Sequence, residues 1–188
     1  MAEISGGLKN LFENFRSAAR ELAFQGVSEP ALSSCPIEDR YYYQQLAAVL
    51  IFGVDIRLQF KIHFMLKEAT VLASQKFELA IDKVTPQLAV YMVKESCNRV
   101  AGRIMKGFNA LNIDMGHSLP FGLNGYNEIY FNQFTEYNVY DCFRIADKDY
   151  SFLAAVWVDA RNDEIENLLL NLDCQRAGDD QSGEFELL

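Results

Sequence analysis

The sequence predicts an α+β fold, in which a mainly antiparallel sheet is covered on one face by long helices. Apolar and polar residues alternate in Ile56–Phe64, which is the pattern of a strand with one buried face and one face in water. A long helical pattern then extends from Pro86 to Asn112. The chain runs through helix, hairpin, two helices and further hairpin, and this order differs from the strand–helix alternation of a parallel sheet.

The N-terminal region predicts an amphipathic helix over Ile4–Phe24, because apolar residues recur there with a helical period. Gly26 and Pro30 interrupt that period and mark the end of the helix. The residues that follow, Ser28–Asp39, show neither periodicity and predict an irregular connection.

Two runs rich in aromatic and β-branched residues follow, Tyr41–Phe52 and Ile56–Phe64. Because only Gly53-Val54-Asp55 separates them, they predict a β-hairpin. The next segment, Met65–Phe77, changes to helix-forming residues. The dipeptide Thr85-Pro86 then opens the long helix, with a threonine cap and a proline in the first turn.

After the long helix ends within Asn112–His117, the segment Ser118–Gly125 predicts an extended stretch that closes in a tight turn at Asn124-Gly125. Tyr137–Ile145 and Tyr150–Val158 predict two further strands, and Asn162–Leu172 predicts a short helix. The acidic, polar tail from Ala177 onward is expected to be mobile.

These elements suggest three segments along the 188 residues. Residues 1–27 form an N-terminal amphipathic helix, residues 28–161 form the main domain, and residues 162–188 form a short helix with an acidic mobile tail.

The amino-acid composition and net charge of the chain argue against several classes of function. Half of the residues are hydrophobic, so a conventional core is expected, and the formal net charge is −9. No basic stripe suitable for nucleic acid is present, and the negative charge disfavours adhesion to an anionic membrane. No apolar run is long enough to span a bilayer. Four scattered cysteines suit reduced thiols in a cytosol, so we expect a cytoplasmic protein.

The sequence gives little support for a metal site, a nucleotide-binding loop or a catalytic nucleophile. His63 is expected to face solvent from the polar side of its strand, and His117 is expected to be structural or at the surface. Neither histidine has neighbours at ligand spacing, so no metal site is predicted. Cys97 is expected to be a small core residue rather than a nucleophile, because no histidine is near it in sequence. Glycine-rich phosphate loops and nucleophile elbows are absent.

The most distinctive pattern lies on the long helix, where Glu95, Asn98 and Gly102 are spaced to share one face. A glycine inside a helix costs up to about 1 kcal/mol relative to alanine, which suggests the close approach of a neighbouring helix or of a partner protein. The spacing Glu-x-x-Asn also occurs at Glu164 and Asn167, so the four residues alone are a weak signal. The second pair belongs to a short, late helix.

The stretch Glu95-Ser-Cys-Asn98 with Gly102, followed by Ser118-Leu-Pro120 and Gly125, resembles the signature of the CheX/CheC/FliY family of chemotaxis phosphatases. The resemblance covers roughly Tyr41–Arg161. One such motif in a long helix is similar to the CheX branch, whereas the CheC branch typically carries two. Ser96-Cys97 departs from the bulkier, more aliphatic pair often found in the family.

The resemblance implies hydrolysis of the aspartyl phosphate of a CheY-like response regulator in two-component signalling. It implies that Asn98 orients the attacking water and that Glu95 anchors the regulator's lysine. The receiver domain is expected to bring the Mg²⁺, so no cofactor is expected in this chain. The resemblance also suggests a homodimer that shares sheet elements, with edges presented by the hairpins Tyr41–Phe64 and Tyr137–Val158.

Two other interpretations stay open. The same fold can serve as a non-catalytic binding or scaffold module in a two-component or flagellar signalling complex. Alternatively, the chain is a structural homodimer unrelated to phosphorylation, which would bury Glu95 and Asn98 or pair them internally. A second site at Glu164 and Asn167 is a further alternative, although that pair lacks a long flanking helix.

Overall fold

The structure is a computed structural model that describes residues 4–23, 30–35, 42–125, 138–160 and 163–175. Its helices are α1 (Gly6–Ala18), α2 (Leu66–Lys76), α3 (Pro86–Ala110) and α4 (Asp163–Leu169). Its strands are β1 (Ala31–Ser34), β2 (Gln45–Phe52), β3 (Ile56–Phe64), β4 (Gly116–His117), β5 (Phe121–Asn124), β6 (Asn138–Asp147) and β7 (Tyr150–Ala160). A π-helical turn, Ala19–Ala23, extends α1, and a 3-10 turn, Ile81–Lys83, precedes α3.

The described strands form one antiparallel sheet. Their order is β1-β6-β7-β3-β2, and both β4 and β5 pair with the remaining edge of β2. The predicted α+β fold with an antiparallel sheet is therefore confirmed. The hairpin of β2 and β3 closes at the predicted connection, where the Gly53 N–H donates to the Ile56 carbonyl at 2.9 Å.

The hydrophobic core lies between one face of this sheet and the helices α1 and α3. Phe15 of α1 stacks on Phe60 of β3, with ring centroids 5.6 Å apart, and both side chains are fully buried. Ile165 and Leu169 of α4 belong to the same core. The division of the chain at residues 27/28 and 161/162 stays a prediction, but buried side chains from α1 and α4 complete one common core.

Helix α3 begins and ends as its terminal residues require. The Thr85 side chain accepts a hydrogen bond from the Leu88 N–H at 3.2 Å, and proline occupies the first turn. The helix ends at Ala110, two residues before the predicted end. Asn112 takes a left-handed backbone conformation, with φ of 58°, which asparagine tolerates better than most residues. The predicted helix is thus confirmed with a slightly earlier end.

Two short strands were not expected. Ser28–Asp39 was predicted to be irregular, but β1 pairs with β6 in the register Ala31 opposite Ala146. The four residues of β1 lie in a segment flanked by two prolines and are too few to show the alternation that predicts a strand. β1 forms because it pairs with β6. The two-residue strand β4, within the predicted helix-to-loop transition, pairs with the end of β2 in the same way.

The predicted free edges of the two hairpins are only partly present. β4 and β5 cover the outer edge of β2, and Ser118 bridges the gap between them through its N–H to the Leu50 carbonyl at 2.9 Å. The hairpin Tyr41–Phe64 therefore offers no free edge within its described strands. β1 covers the second half of β6, so the hairpin Tyr137–Val158 keeps an open edge only near the start of β6 among the described residues.

Several predicted features fall outside the described residues. These are the start of the first strand at Tyr41, the start of the later strand at Tyr137, the chain beyond the turn at Gly125, and the tail from Ala177. Within the described ranges, no helix combines the length and the apolar character needed to cross a bilayer.

The outer face of the sheet is less polar than predicted. His63 was expected to face solvent from this side, but its side chain is buried. Its side chain is only 3% exposed, and the Tyr43 ring meets it edge-on at 5.0 Å between centroids. Leu46 and Leu153 flank it on the neighbouring strands, and both are buried. The alternation within β3 cannot reveal these neighbours. Burial lowers the pKa of His63 to about 3.

Candidate functional site

The four residues Glu95–Asn98 of α3 are divided between the accessible face of the helix and its buried face. Glu95 and Asn98 lie outward and are half-buried, whereas Ser96 and Cys97 between them are buried. The Ser96 hydroxyl donates to the Met92 carbonyl at 3.0 Å. The Cys97 thiol lies 3.8 Å from the Ala47 carbonyl of β2. The small pair Ser96-Cys97 therefore seats α3 on the sheet, and the carboxylate and carboxamide remain on the accessible side.

The outward pair has unused hydrogen-bonding capacity. Neither the Glu95 carboxylate nor the Asn98 carboxamide forms a hydrogen bond with another described residue. A purely structural role would bury these groups or pair them internally, and the described residues do neither. A half-buried carboxamide whose hydrogen-bonding groups are not used within the described chain can hold a water molecule, because it offers both an acceptor oxygen and two donor hydrogens.

Glu95 and Arg99 of α3 both act electrostatically on Lys76 of α2. Lys76, the last residue of α2, is half-buried, and Arg99 lies one turn beyond Glu95 on α3. Burial is the main cause that lowers the pKa of Lys76 to about 8. The positive charge of Arg99 lowers this pKa further, and the negative charge of Glu95 raises it. The sequence analysis did not identify Lys76, because the connection depends on the packing of α2 against α3.

Gly102 provides open space beside the pair. Apart from the adjacent residues and the nearby backbone of α3 itself, a Cβ atom built at this position would meet no atom within 4 Å. The expectation that a neighbouring helix approaches Gly102 is therefore wrong within the described chain. The other expectation, that a partner protein approaches there, stays a prediction. Glu95, Asn98 and Gly102 do share one accessible stripe of α3, as their spacing predicts.

The stripe continues toward the start of α3 and borders a cleft. Tyr91 precedes Glu95 by one turn and is 50% exposed. The cleft beside it has a volume of about 430 Å³ and lies between α3 and β5. Lys94 closes over Gly122 of β5, because a Cβ atom at Gly122 would come within 2.9 Å of its Cε. Tyr91 escaped the sequence analysis, although its spacing from Glu95 places it on the same face.

The other candidate residues do not form a reactive centre. Burial raises the pKa of the Cys97 thiol, which leaves it protonated and unreactive. His117 is half-buried, with its Nδ1 atom 2.9 Å from the Ser118 carbonyl. Among the residues that the structure describes, no three His, Cys, Asp or Glu side chains converge as a metal site would require.

The second Glu-x-x-Asn pair has a different setting. Glu164 and Asn167 are exposed on α4, which has seven residues and packs against α1. Such a short helix is stabilised mainly by its buried side rather than by its own hydrogen bonds. Residues 164 and 167 therefore lack the long, anchored support that α3 gives to Glu95 and Asn98.

Neither a protein-family model nor a curated protein sequence matches this chain. Solved structures do resemble it. A CheC-like superfamily protein from Shewanella sp. PV-4 superposes with a TM-score of 0.67 and 8% identity, covering 80% of this chain and 98% of that one. Chemotaxis protein CheX from Vibrio vulnificus gives a TM-score of 0.64 and 13% identity, covering 79% and 95%.

A third similar chain comes from the CheX–CheY–BeF3–Mg²⁺ complex of Borrelia burgdorferi, with a TM-score of 0.55 and 14% identity. It covers 80% of this chain and 96% of its own length. The three similar structures carry the same architecture at identities too low to transfer an activity. The resemblance first indicated by the α3 motif is confirmed at the level of structure, and the chain has the fold of the CheX- and CheC-like chemotaxis proteins.

Proposed function

We propose that this protein hydrolyses the aspartyl phosphate of a CheY-like receiver domain. The single observation that carries the proposal is the outward pair on α3. Glu95 and Asn98 are half-buried and without hydrogen-bond partners among the described residues, on a fold that a CheX chain in complex with CheY also adopts. The open surface at Gly102 leaves room for a second protein beside the pair.

The proposed reaction requires no covalent bond between this chain and the phosphoryl group. An acyl phosphate is already activated, and phosphoryl transfer is accelerated mainly by positioning and charge stabilisation. A water oxygen forms a bond to phosphorus as the bond between phosphorus and the aspartyl oxygen breaks. The products are the receiver's aspartate and inorganic phosphate. One water proton stays on the phosphate and the other passes to solvent.

Asn98 is the proposed water-orienting residue. Its carboxamide oxygen accepts a hydrogen bond from the water and aims the water at phosphorus. An uncharged group is suited to this position, because a carboxylate would repel the phosphoryl oxygens. The α3 backbone holds the Asn98 Cα in place through the buried residues Cys97 and Val100 on its opposite side.

Glu95 is the proposed anchor. A carboxylate one turn from Asn98 is suited to pair with the lysine that the receiver carries at its phosphorylation site. The Mg²⁺ belongs to the receiver in this proposal, and this chain supplies neither a metal nor a covalent intermediate. Pairing at Glu95 fixes the receiver's orientation, so that the Asn98 water meets phosphorus in line with the bond that breaks.

The test is phosphate release from a panel of CheY-like receiver domains of the same genome, phosphorylated with acetyl phosphate. Wild type should accelerate release from at least one receiver. Asn98→Ala should reduce this acceleration about 100-fold, the cost of a misplaced reactant, while the receiver still binds. Glu95→Ala should weaken binding as well as rate. The matched control is Asn167→Ala, which removes the same residue type from the second pair and should change neither.

The alternative is a binding module of the same fold that holds a receiver without turnover. It predicts equal phosphate release with wild type and Asn98→Ala, together with measurable binding by both. That result would contradict the phosphatase proposal. A loss of activity in Asn167→Ala as large as in Asn98→Ala would contradict the assignment of the site to α3.

A further inference from the structure

We infer that the cleft between α3 and β5 is a docking site for an acidic side chain of the receiver, with Lys94 as the cation that binds it. This inference rests on the proposed function, because the receiver is the partner in both. The cleft adds a contact outside the receiver's phosphorylation site. Such a contact allows the protein to distinguish one receiver from another.

Lys94 differs from the other cations of α3 in having no partner. Arg103 pairs with Glu21, and Arg99 and Lys106 each interact with other groups. Lys94 is half-buried and forms neither a hydrogen bond nor an ion pair within the described chain. Because an ammonium carries three donors, Lys94 is able to bind an anion without giving up an existing partner.

Contact with β5 determines where the end of the Lys94 side chain lies. A Cβ atom built at Gly122 would be 2.9 Å from the Lys94 Cε atom and 3.6 Å from its Nζ atom. The end of the lysine therefore rests against the bare backbone of Gly122, and both residues line the cleft. Any larger residue at position 122 would displace the ammonium, so Gly122 helps to fix its place.

The rest of the cleft is neutral, and no aspartate or glutamate of the described chain lines it. Leu66 and Val90 contribute half-buried apolar side chains, and Gln45 contributes an amide. Lys94 is thus the one formal charge among the lining residues. A complementary ligand carries one negative charge beside some apolar surface, and an aspartate or glutamate on a protein loop meets both requirements.

The receiver's contact area would reach this cleft. A stable interface covers about 800 Å² of each partner, which corresponds to a disc with a radius of about 16 Å. Pro86, at the far end of the cleft, lies about 14 Å from Glu95 along the axis of α3. Tyr91 lines the cleft and also belongs to the accessible stripe that contains Glu95. A receiver docked on Glu95 would therefore also cover Lys94.

The charge of the whole chain makes an accessible cation informative. The formal net charge is −9, so most of the surface repels a carboxylate. An acidic side chain opposite Lys94 is attracted there, whereas a lysine at the same place on another receiver would meet an unpaired like charge. Lys94 therefore favours one class of receiver and disfavours the other.

The experiment is a double-mutant cycle across the interface, with binding as its readout. The probe is the CheY-like receiver of the same genome that binds most tightly when loaded with beryllofluoride and Mg²⁺, which prevents turnover. Each acidic surface side chain that borders its phosphorylation site is replaced by the corresponding amide, with the metal ligands left intact. Every receiver variant is then measured against wild type and Lys94→Gln.

Lys94→Gln should weaken binding of the unmodified receiver about fivefold, the upper range for an exposed ion pair. One receiver carboxylate should account for this loss. Its replacement should cost about fivefold with wild type and less than about 1.5-fold with Lys94→Gln. Lys94→Arg, which keeps the charge, should bind within about twofold of wild type. Gly122→Ala should weaken binding in the wild-type background and have no further effect beside Lys94→Gln.

The matched control is Lys9→Gln, which removes the same charge from an exposed position on α1. It should leave binding at the wild-type value. A loss with Lys94→Gln no larger than that with Lys9→Gln would overturn the inference. Additive losses with every receiver variant would overturn it as well, because they would mean that Lys94 attracts the receiver without docking a particular carboxylate.

Binding and turnover together separate this inference from the proposed function. Lys94→Gln should raise KM for phosphate release about fivefold while kcat changes less than about twofold, because the contact is the same before and during the reaction. Phosphate release that requires Asn98 but is insensitive to Lys94→Gln would refute the docking site alone. A receiver carboxylate coupled to Lys94, without accelerated phosphate release, would refute the proposed reaction and leave the docking site intact.

Discussion

Gly102 and Gly107 lie less than two turns apart on α3 and have opposite surroundings. A Cβ atom at Gly102 would face open space, whereas a Cβ atom at Gly107 would overlap the Cys174 thiol. Gly107 is buried in the core, so packing explains it. Nothing within the described chain explains Gly102, and the helix carries its conformational cost without any internal contact in return.

Gly102→Ala should therefore stabilise the protein by about 1 kcal/mol, the difference in helix propensity between the two residues. Gly107→Ala should destabilise it, because the methyl group has no space beside Cys174. Urea unfolding followed by circular dichroism measures both changes. If a partner's backbone approaches Gly102, Gly102→Ala will also weaken receiver binding despite the gain in stability. Destabilisation by Gly102→Ala would contradict the open surroundings of this site.

His63 should make the folded state sensitive to acid. Its pKa is about 3 in the folded protein and about 6.5 in the unfolded chain, so the unfolded state binds the proton more readily. The full stability is present above pH 6.5 and falls as the pH drops toward 3. At pH 5.5 the loss should be about 1.4 kcal/mol. His63→Phe, which keeps an aromatic ring beside Tyr43, should abolish this part of the pH dependence.

The control for this prediction is His117→Gln, because His117 is the other histidine of the chain and is only half-buried. Unfolding free energies of the three proteins are compared between pH 7.5 and 5.5. Carboxylates titrate in all of them, so the difference between wild type and His63→Phe is the informative quantity. Equal slopes would show that His63 becomes protonated without unfolding.

Local signals in the sequence predict the parts of the fold whose causes are local. The alternation in Ile56–Phe64 predicts β3 with its observed bounds, and the Thr85 cap predicts the start of α3. The accessible face shared by Glu95 and Asn98 also follows from helical spacing alone. Each of these features depends on residues within a few positions of one another.

Features that depend on distant parts of the chain were not predictable in this way. β1 exists because β6 lies beside it, and His63 is buried because Leu46 and Leu153 flank it on other strands. The electrostatic influence of Glu95 on Lys76 depends on the packing of α2 against α3, which no motif encodes. The spacing of Gly102 predicts its face, but only the assembled chain reveals that no internal neighbour approaches it.

Asn14 should couple the C-terminal segment to the stability of the whole domain. Its side-chain nitrogen donates to the Leu172 carbonyl at 3.1 Å, and its oxygen accepts from the Cys174 N–H at 2.9 Å. Leu172 and Cys174 are themselves buried in the core. Asn14→Ala should lower the free energy of unfolding by about 1–3 kcal/mol, because each lost hydrogen bond costs about 0.5–1.5 kcal/mol and leaves a polar group unpaired.

Hydrogen exchange distinguishes a global effect from a local one. If residues 163–175 are integral to the domain, Asn14→Ala will speed exchange of amides in α4 and α3 together, in proportion to the lost stability. If these residues form a separable addition, as the division at residue 161/162 predicts, only the C-terminal amides will exchange faster and the unfolding midpoint will stay unchanged. Asn167→Ala, exposed on α4, is the matched control and should leave both readouts at wild-type values.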